Sequence, residues 1–460
     1  MMKMKKLLVF LILGIFISCT QSQEKISPTA ILISNVNSID VRNGTVLENR
    51  QIVIDSGKIK RITSEIQNPE EYTTIINGKG KYLIPGLTEM HAHIPPPTTH
   101  SDRVEEVLFL YVANGITTIR GMLGHPEHLI LRKVAKEGKI ISPRIFTSSP
   151  SLNGNSVKTK EEAIEKVTAY QKEGYDFLKI HPGIQREVFD QVVTTANEVG
   201  IRFAGHVPVD VGIRHALKSK YASIDHVDGF LEGLVPQSAN VKPTDNGFFG
   251  YAFTPLADTS KIDELVRLAK ENKVWIVPTQ SLFERWFAPI TSEELLQQPE
   301  MKYMPKTTLE NWKTRKEESI NAPGFNTEQW TKFDSIRKLL ISGLNENGHG
   351  MLLGSDAPQL FNVPGFSIHH ETQGMLGAGM TPKEIIASGT INPAKYFGME
   401  DTFGKIKEGL DADLILLDSN PLENISALKE ISGVMLRGRW ISKEEIDEKL
   451  AMVANHAAQN

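Results

Sequence analysis

Apolar residues along this chain follow two rhythms, and the change between them divides it. From residue 30 to residue 84 the runs AILISNVNSID, QIVIDSGKIKRI and YTTIINGKGKYLIPG alternate or carry β-branched residues, and Asn-Gly and Ser-Gly pairs punctuate them. That is the pattern of short strands joined by tight turns. The same texture returns in GKIKEGLDADLILLDSN and ISGVMLRGRWIS, so one small β domain is expected from both ends of the chain. Between them lie eight strand candidates, LIPGLTEMHAH, GITTIRGM, PRIFTSS, YDFLKIH, RFAGHV, ASIDHVD, VWIVPTQ and MLLGSDA. Amphipathic stretches such as TKEEAIEKVTAYQKEG and QREVFDQVVTTANEVG fill the intervals and predict helices. Strands alternating with helices pair in parallel, and eight of them close a barrel. The expected fold is α/β, a (β/α)8 TIM barrel with a small β-sandwich. The sandwich takes residues 30–84 and 397–445, the barrel 85–396, and 446–460 form a tail. Residues 281–350 are too long for a single connection and carry Trp286, Trp312 and Trp330. They predict helices inserted after the seventh strand, either as a binding wall or as packing on the barrel flank.

The first residues add an address. MMKMKKLLVFLILGIFISC has a basic start and an apolar run from Leu7 to Ile17, too short to span a bilayer, followed by Ser18-Cys19. This layout predicts a lipoprotein signal over residues 1–18, lipidation at Cys19 and a polar tether over 19–29. The protein is then expected in the cell envelope, facing the periplasm or the exterior, with membrane contact only through that anchor. Cys19 is the sole cysteine, which excludes an internal disulfide or a thiol nucleophile elsewhere. A net charge of -4 with dispersed Lys and Arg argues against nucleic acid as a partner. A small-molecule substrate is expected instead, and a homo-oligomer stays open.

Candidate chemistry gathers where a barrel places it, at the C-terminal strand ends. His91 and His93 end the first strand and, two residues apart, share one face. Lys179 ends the fourth, His206 the fifth, His226 the sixth and Asp356 the eighth. Each alone is weak, since a strand-end histidine is usually structural and a lysine there usually a surface residue. Together they predict a metal site. Arg120, ending the second strand, could meet a substrate carboxylate or form a salt bridge in the barrel mouth, and His181 could orient substrate or bond within its loop. His100, His125 and His128 lie in loops after the first two strands and are expected to be solvated.

With these motifs the chain resembles the amidohydrolase superfamily, in particular the branch of imidazolonepropionase-like enzymes and metal-dependent dipeptidases of the prolidase type. LIPGLTEMHAH, YDFLKIH, AGHV, IDHVD and LLGSDA match the family's ligand strands in order, and GKIKEGLDADLILLD its return to the sandwich. The resemblance implies two divalent metal ions, with zinc the first expectation. It assigns His91, His93 and Asp356 to one ion and His206 and His226 to the other, bridged by Lys179 carboxylated by carbon dioxide to a carbamate. It implies that a hydroxide held between the metals attacks a carbonyl, with Asp356 as the catalytic acid–base. IHHETQGM, after the eighth strand, is implied to touch the site through a residue the sequence does not single out.

The activity expected is hydrolysis of an amide bond in a small substrate such as a dipeptide or N-acyl amino acid. The same centre would also serve a cyclic amide, a lactone or a phosphotriester. A lipoprotein that binds a ligand without catalysis is the reading from another class, and Asp356 beside the metals argues against it.

Overall fold

The run 83–93, expected as one strand, is two. In the computed structural model, which describes residues 27–96 and 101–459, Tyr82–Pro85 and Leu87–Ala92 belong to different sheets. Gly86 separates them because a side chain has no room there: a Cβ would come 2.1 Å from Thr117 Oγ1. The expected signal peptide with Cys19, most of the tether and His100 lie outside the described residues. No described helix is long and apolar enough to cross a membrane.

The small β unit is a mixed eight-stranded sheet. Ile31–Asp40 pairs antiparallel with Thr45–Asp55 and parallel with Thr74–Asn77 and Tyr82–Pro85. Tyr82–Pro85 also runs antiparallel to Leu414–Leu417, with Ile84 opposite Ile415, and there the two ends of the chain meet. Ile431–Leu436 and Arg439–Ser442 complete one edge and Lys58–Thr63 the other. Alternation sorts the side chains to two faces. Leu83, Leu414 and Leu416 enter the sheet's own core with Ile33, Val36, Ile52, Ile54 and Met435. Ile84, Ile415 and Leu417 enter the large core shared with the barrel.

The barrel strands follow chain order: Leu87–Ala92, Ile116–Gly121, Arg144–Leu152, Phe177–Ile180, Arg202–Gly205, Ser223–Asp225 and Trp275–Val277, all parallel. The eighth position is taken by an irregular segment rather than a full strand. Leu352 N donates to Ile276 O (2.8 Å) on one side, and on the other Met90 N donates to Leu353 O (2.8 Å) and Asp356 N to His91 O (2.9 Å). Its pairing is limited to single bridges, Ile276 with Met351 and Ala92 with Ala357. The cause is local. Ser355 N donates to the Glu89 carboxyl (2.8 Å) instead of a neighbouring strand, Asp356 takes a left-handed backbone (φ 66°), and a Cβ on Gly354 would sit 2.6 Å from Val277.

The helices start and stop on their sequence signals. Thr159 caps Lys160–Glu173 by accepting from Glu162 N, and Gly174 and Gly200 end that helix and Arg186–Val199 in left-handed conformations. After the seventh strand come Gln280–Phe287, Ser292–Leu296, Lys306–Ile320 and Thr327–Asn347, the helices expected over 281–350. Trp312 and Trp330 are buried among them, whereas Trp286 is half-buried. The segment expected as a C-terminal tail is mostly the helix Lys443–Ala457, whose His456 pairs with Glu106 on the first barrel helix, Ser101–Ala113.

Candidate metal centre

All six strand-end groups converge at one mouth of the barrel. Every residue of Leu87–Ala92 is buried, and the strand delivers His91 with His93 just beyond it. His93 Nε2 lies 2.6 Å and His91 Nε2 3.4 Å from Asp356 Oδ1. The imidazoles of His93, His91, His226 and His206 then follow one another at 5.3, 4.6 and 4.6 Å between ring centroids. Lys179 stands on the wholly buried Phe177–Ile180, its Nζ 3.7 Å from Asp225 Oδ2. Among the described residues, His91, His93 and Asp356 form a group whose ligand atoms lie within 4.8 Å of one another.

Second partners orient the rings. His206 Nδ1–H donates to Asp228 Oδ2 (3.0 Å), which also accepts from Val207 N (3.1 Å). His226 Nδ1 shares a hydrogen bond with Thr279 Oγ1 (2.8 Å), and His91 Nδ1 lies 3.3 Å from Asp225 Oδ2. A ligating histidine usually engages its other nitrogen in this way. In His206 and His226 these bonds leave Nε2 for an ion, whereas His91 Nδ1 is near Asp225 without a hydrogen bond to it. Burial, helped by the Lys179 charge and neighbouring histidines, holds His91 and His226 far below the usual imidazole range. Neutral imidazole is the ligating form. Burial alone would raise the Asp225 carboxyl, but the Arg120 and Lys179 cations outweigh it and hold the group below its ordinary value.

The donor set fits a divalent ion. Lys179 Nζ is completely buried with no hydrogen-bond partner, and burial lowers its pKa. With only the Asp225 carboxylate, among the described residues, in ion-pair range and no hydrogen bond, burying this amine is costly. Imidazoles and carboxylate oxygens are what zinc and its neighbours take. His226, Val227, Thr279 and Asp356 all hold left-handed backbones (φ 66°, 54°, 45° and 66°) in this small volume. Such conformations cost about 1–3 kcal/mol each and cluster at functional sites.

The remaining candidates divide. Arg120 takes the salt-bridge alternative, pairing with Asp225. It is fully buried and donates to Met90 O, Ser223 Oγ, Tyr396 OH and Asp225 Oδ1, so its guanidinium is used inside the barrel beneath the histidines. His181 borders the cluster, stacked on His206 at 5.0 Å with Nδ1 bonded to Ser151 Oγ, and burial pushes it down to about 2. His128 is not solvated but 4% exposed, while His125 caps the helix Pro126–Lys136 by accepting from Glu127 N. In IHHETQGM, His369 bonds Asn114, His370 bonds Glu300, and Glu371 accepts from Gln280 N and Ser281 N. None of these bonds is to a candidate ligand. Asp225 and Asp228 went unselected although they flank His226, where carboxylates beside a ligand were the available signal. Thr279 offered none, since only the fold brings it to His226.

Aromatic residues close the His206 and His226 side. The Phe249 ring lies 5.8 and 5.4 Å from those imidazoles and 5.0 Å from Phe283, and Phe248 packs on Trp286 at 4.4 Å.

The profile of the amidohydrolase family matches residues 82–441. Ochratoxinase of Aspergillus niger is 23% identical over 442 residues, covering 85% of this chain and 82% of that protein. Among solved structures, the bottromycin amidohydrolase superposes with a TM-score of 0.72 at 20% identity, covering 94% of this chain and 91% of that one. A Xaa-Pro dipeptidase with methionine in its active site superposes at 0.65 with 22% identity, covering 90% and 100%.

Proposed function

The chain belongs to the amidohydrolase family, and on that premise we propose that it is a metal-dependent hydrolase cleaving an amide bond in a dipeptide or N-acyl amino acid. The observation that carries the metal requirement is the gathering of the strand-end groups around Lys179 Nζ, buried without a hydrogen bond, with His91, His93 and Asp356 close enough to share an ion. Ochratoxinase and the Xaa-Pro dipeptidase support the bond type, and the dipeptidase favours the prolidase-type branch.

In this reading His91, His93 and Asp356 hold one divalent ion and His206 and His226 a second, with zinc the first choice. Lys179 would add carbon dioxide at its amine nitrogen, releasing one proton, and the resulting carbamate would offer anionic oxygens to the two ions. A bound ion supplies Lewis acidity, polarising the carbonyl and making water nucleophilic near neutral pH. The chain supplies the rest. Asp228 and Thr279 fix which nitrogen His206 and His226 present. Asp356 Oδ1 faces the first-strand histidines, and Oδ2 is 3.4 Å from Gln359 Nε2. Oδ2 takes the proton released by the attacking water and delivers it to the departing nitrogen. The N-terminal sequence supports an envelope location through a lipid on Cys19.

The test is product release from a library of dipeptides and N-acyl amino acids. It uses protein lacking residues 1–19, loaded with zinc and bicarbonate, beside a chelated control. Chelator-sensitive release from a related subset is expected. Silence across the library from protein shown to carry two metal equivalents would retire the proposed substrate class.

A further inference from the structure

The aromatic residues beside the histidines do more than fill space. Phe249 has a left-handed backbone (φ 48°), a conformation bulky residues rarely adopt, and it joins His226, Thr279 and Asp356 in the same strained neighbourhood. Its position is set from several directions. Gly247 and Gly250 flank it with φ 67° and 78°, and a Cβ on Gly250 would meet the Glu232 carboxyl at 2.9 Å. Asn246 donates to Glu232 Oε1 (2.8 Å), and Gln329, on the helix Thr327–Asn347, donates to Tyr251 O (2.7 Å). Trp286, against which Phe248 rests, is itself held by a bond from Nε1 to Ser319 Oγ (2.8 Å). Two insertions distant in sequence therefore build one wall. Phe283 and Phe287 at its back are buried, while Phe248, Phe249 and Trp286 keep part of their surface open.

We propose that this wall is a substrate subsite and that Phe249 is its specificity-determining residue, selecting an aromatic or large apolar group next to the scissile amide. The inference rests on the amide-hydrolase reading above and deepens it. A reacting amide must lie about 3–3.5 Å from the groups that act on it. A substituent one or two bonds away then reaches the Phe249 ring, which is 5.4 Å from the His226 ring. Rings stack or meet edge to face at centroid separations of about 4.5–7 Å. A carboxylate or ammonium in the same place would lose its water against Phe248, Phe249 and Trp286 without a partner from them.

The experiment compares wild type with Phe249→Ala and Phe249→Leu on Ala-Ala, Phe-Ala, Ala-Phe and Ala-Asp, with metal content and circular dichroism measured on each. Wild type is expected to favour one of the Phe-containing dipeptides over Ala-Ala by at least about tenfold in kcat/KM. Phe249→Ala should erase most of that ratio, losing far more kcat/KM on the favoured Phe-containing dipeptide than on Ala-Ala, with bound metal retained, and Phe249→Leu should keep part of it. An unchanged ratio in Phe249→Ala overturns the proposal. A second readout needs no turnover: NMR saturation transfer to the ring protons of benzamide, on metal-loaded and metal-stripped protein. Transfer is expected in wild type and lost in Phe249→Ala. If no amide reacts yet transfer depends on Phe249, the reaction falls and the subsite stands. If amides react and neither readout responds to Phe249, the subsite falls and the reaction stands.

Discussion

Two of the candidate ligands, His206 and His226, are held by partners that are not themselves candidate ligands, which makes those partners testable apart from the chemistry. Thr279 holds His226 by accepting a hydrogen bond at Oγ1 from Nδ1–H (2.8 Å), and does so from a left-handed backbone. Replacing it with valine keeps the shape and removes the oxygen. Losing such an orienting partner typically costs about 10–100-fold in metal affinity. Thr279→Val should therefore bind zinc more weakly by that factor in competition with a chromophoric chelator, and unchanged affinity would show that the bond does not position the ring. Asp356 differs because it is asked to move a proton as well as to face the metal. Asp356→Asn should retain most of the metal yet lose about 10²–10⁴-fold in kcat, the usual worth of a general acid–base. Near-normal turnover would exclude that role.

At the scale of elements, the site depends on contacts between segments far apart in sequence. Glu371, on the helix Ser367–Gly377, accepts from Gln280 N (3.0 Å) and Ser281 N (2.8 Å), the first amides of Gln280–Phe287. These are amides a helix cannot satisfy itself. Burial outweighs the bonds and pushes the Glu371 carboxyl up to about 7. Glu371→Ala strands two buried donors at about 1–3 kcal/mol each. It should lower stability by several kcal/mol in urea unfolding and loosen the helix that carries Phe283 and Trp286. A loss below about 0.5 kcal/mol, the range of inert surface changes, would contradict the capping role. IHHETQGM shows why sequence reading stops where it does. Its charged residues mark a constrained segment, but whether Glu371 faces a metal or the amides of another helix is settled by how the insertion folds back. Which of the two roles open to Arg120 holds was undecided for the same reason: its acceptors Ser223, Asp225 and Tyr396 are more than 100 residues away. The positions of His91, His93, Lys179, His206, His226 and Asp356 were legible because barrel periodicity alone brings strand ends together. The eighth strand was legible as an apolar run and not as an irregular segment, because the Glu89 bond to Ser355 N is long-range.

For the whole molecule, the same alternation of strands and helices carried the fold, and the joining of the two chain ends in one sheet followed from their shared strand texture. What the pattern could not convey is which polar residues lock the closed ring, and His369 is one of them. It is 5% exposed, and its Nε2 bonds Asn114 Oδ1 at 3.0 Å, tying the helix after the eighth segment to the end of the first barrel helix. Asn114 Nδ2 is already spent on Leu110 O (2.9 Å), so Oδ1 is the acceptor and His369 the donor. Burial, with the Lys429 and His370 charges adding to it and Glu300 opposing, pushes His369 down to about 3. The unfolded chain takes up a proton near pH 6.5, the ordinary histidine value, while the folded protein stays neutral until about 3. Stability from this group is thus complete above 6.5 and drains away as the pH falls toward 3. At pH 5 the deficit is about 2 kcal/mol, from 1.36 kcal/mol per pH unit. Glutamine at 369 can offer its amide hydrogen to Asn114 and does not titrate. Between pH 7.5 and 5, wild type should lose about 2 kcal/mol more unfolding free energy than His369→Gln, followed by tryptophan fluorescence in urea. The comparison is of slopes with pH, so a fixed cost of the substitution cancels and the other titrating groups act on both proteins alike. Equal losses in the two would mean that protonating the buried ring is no part of what acid does to this fold.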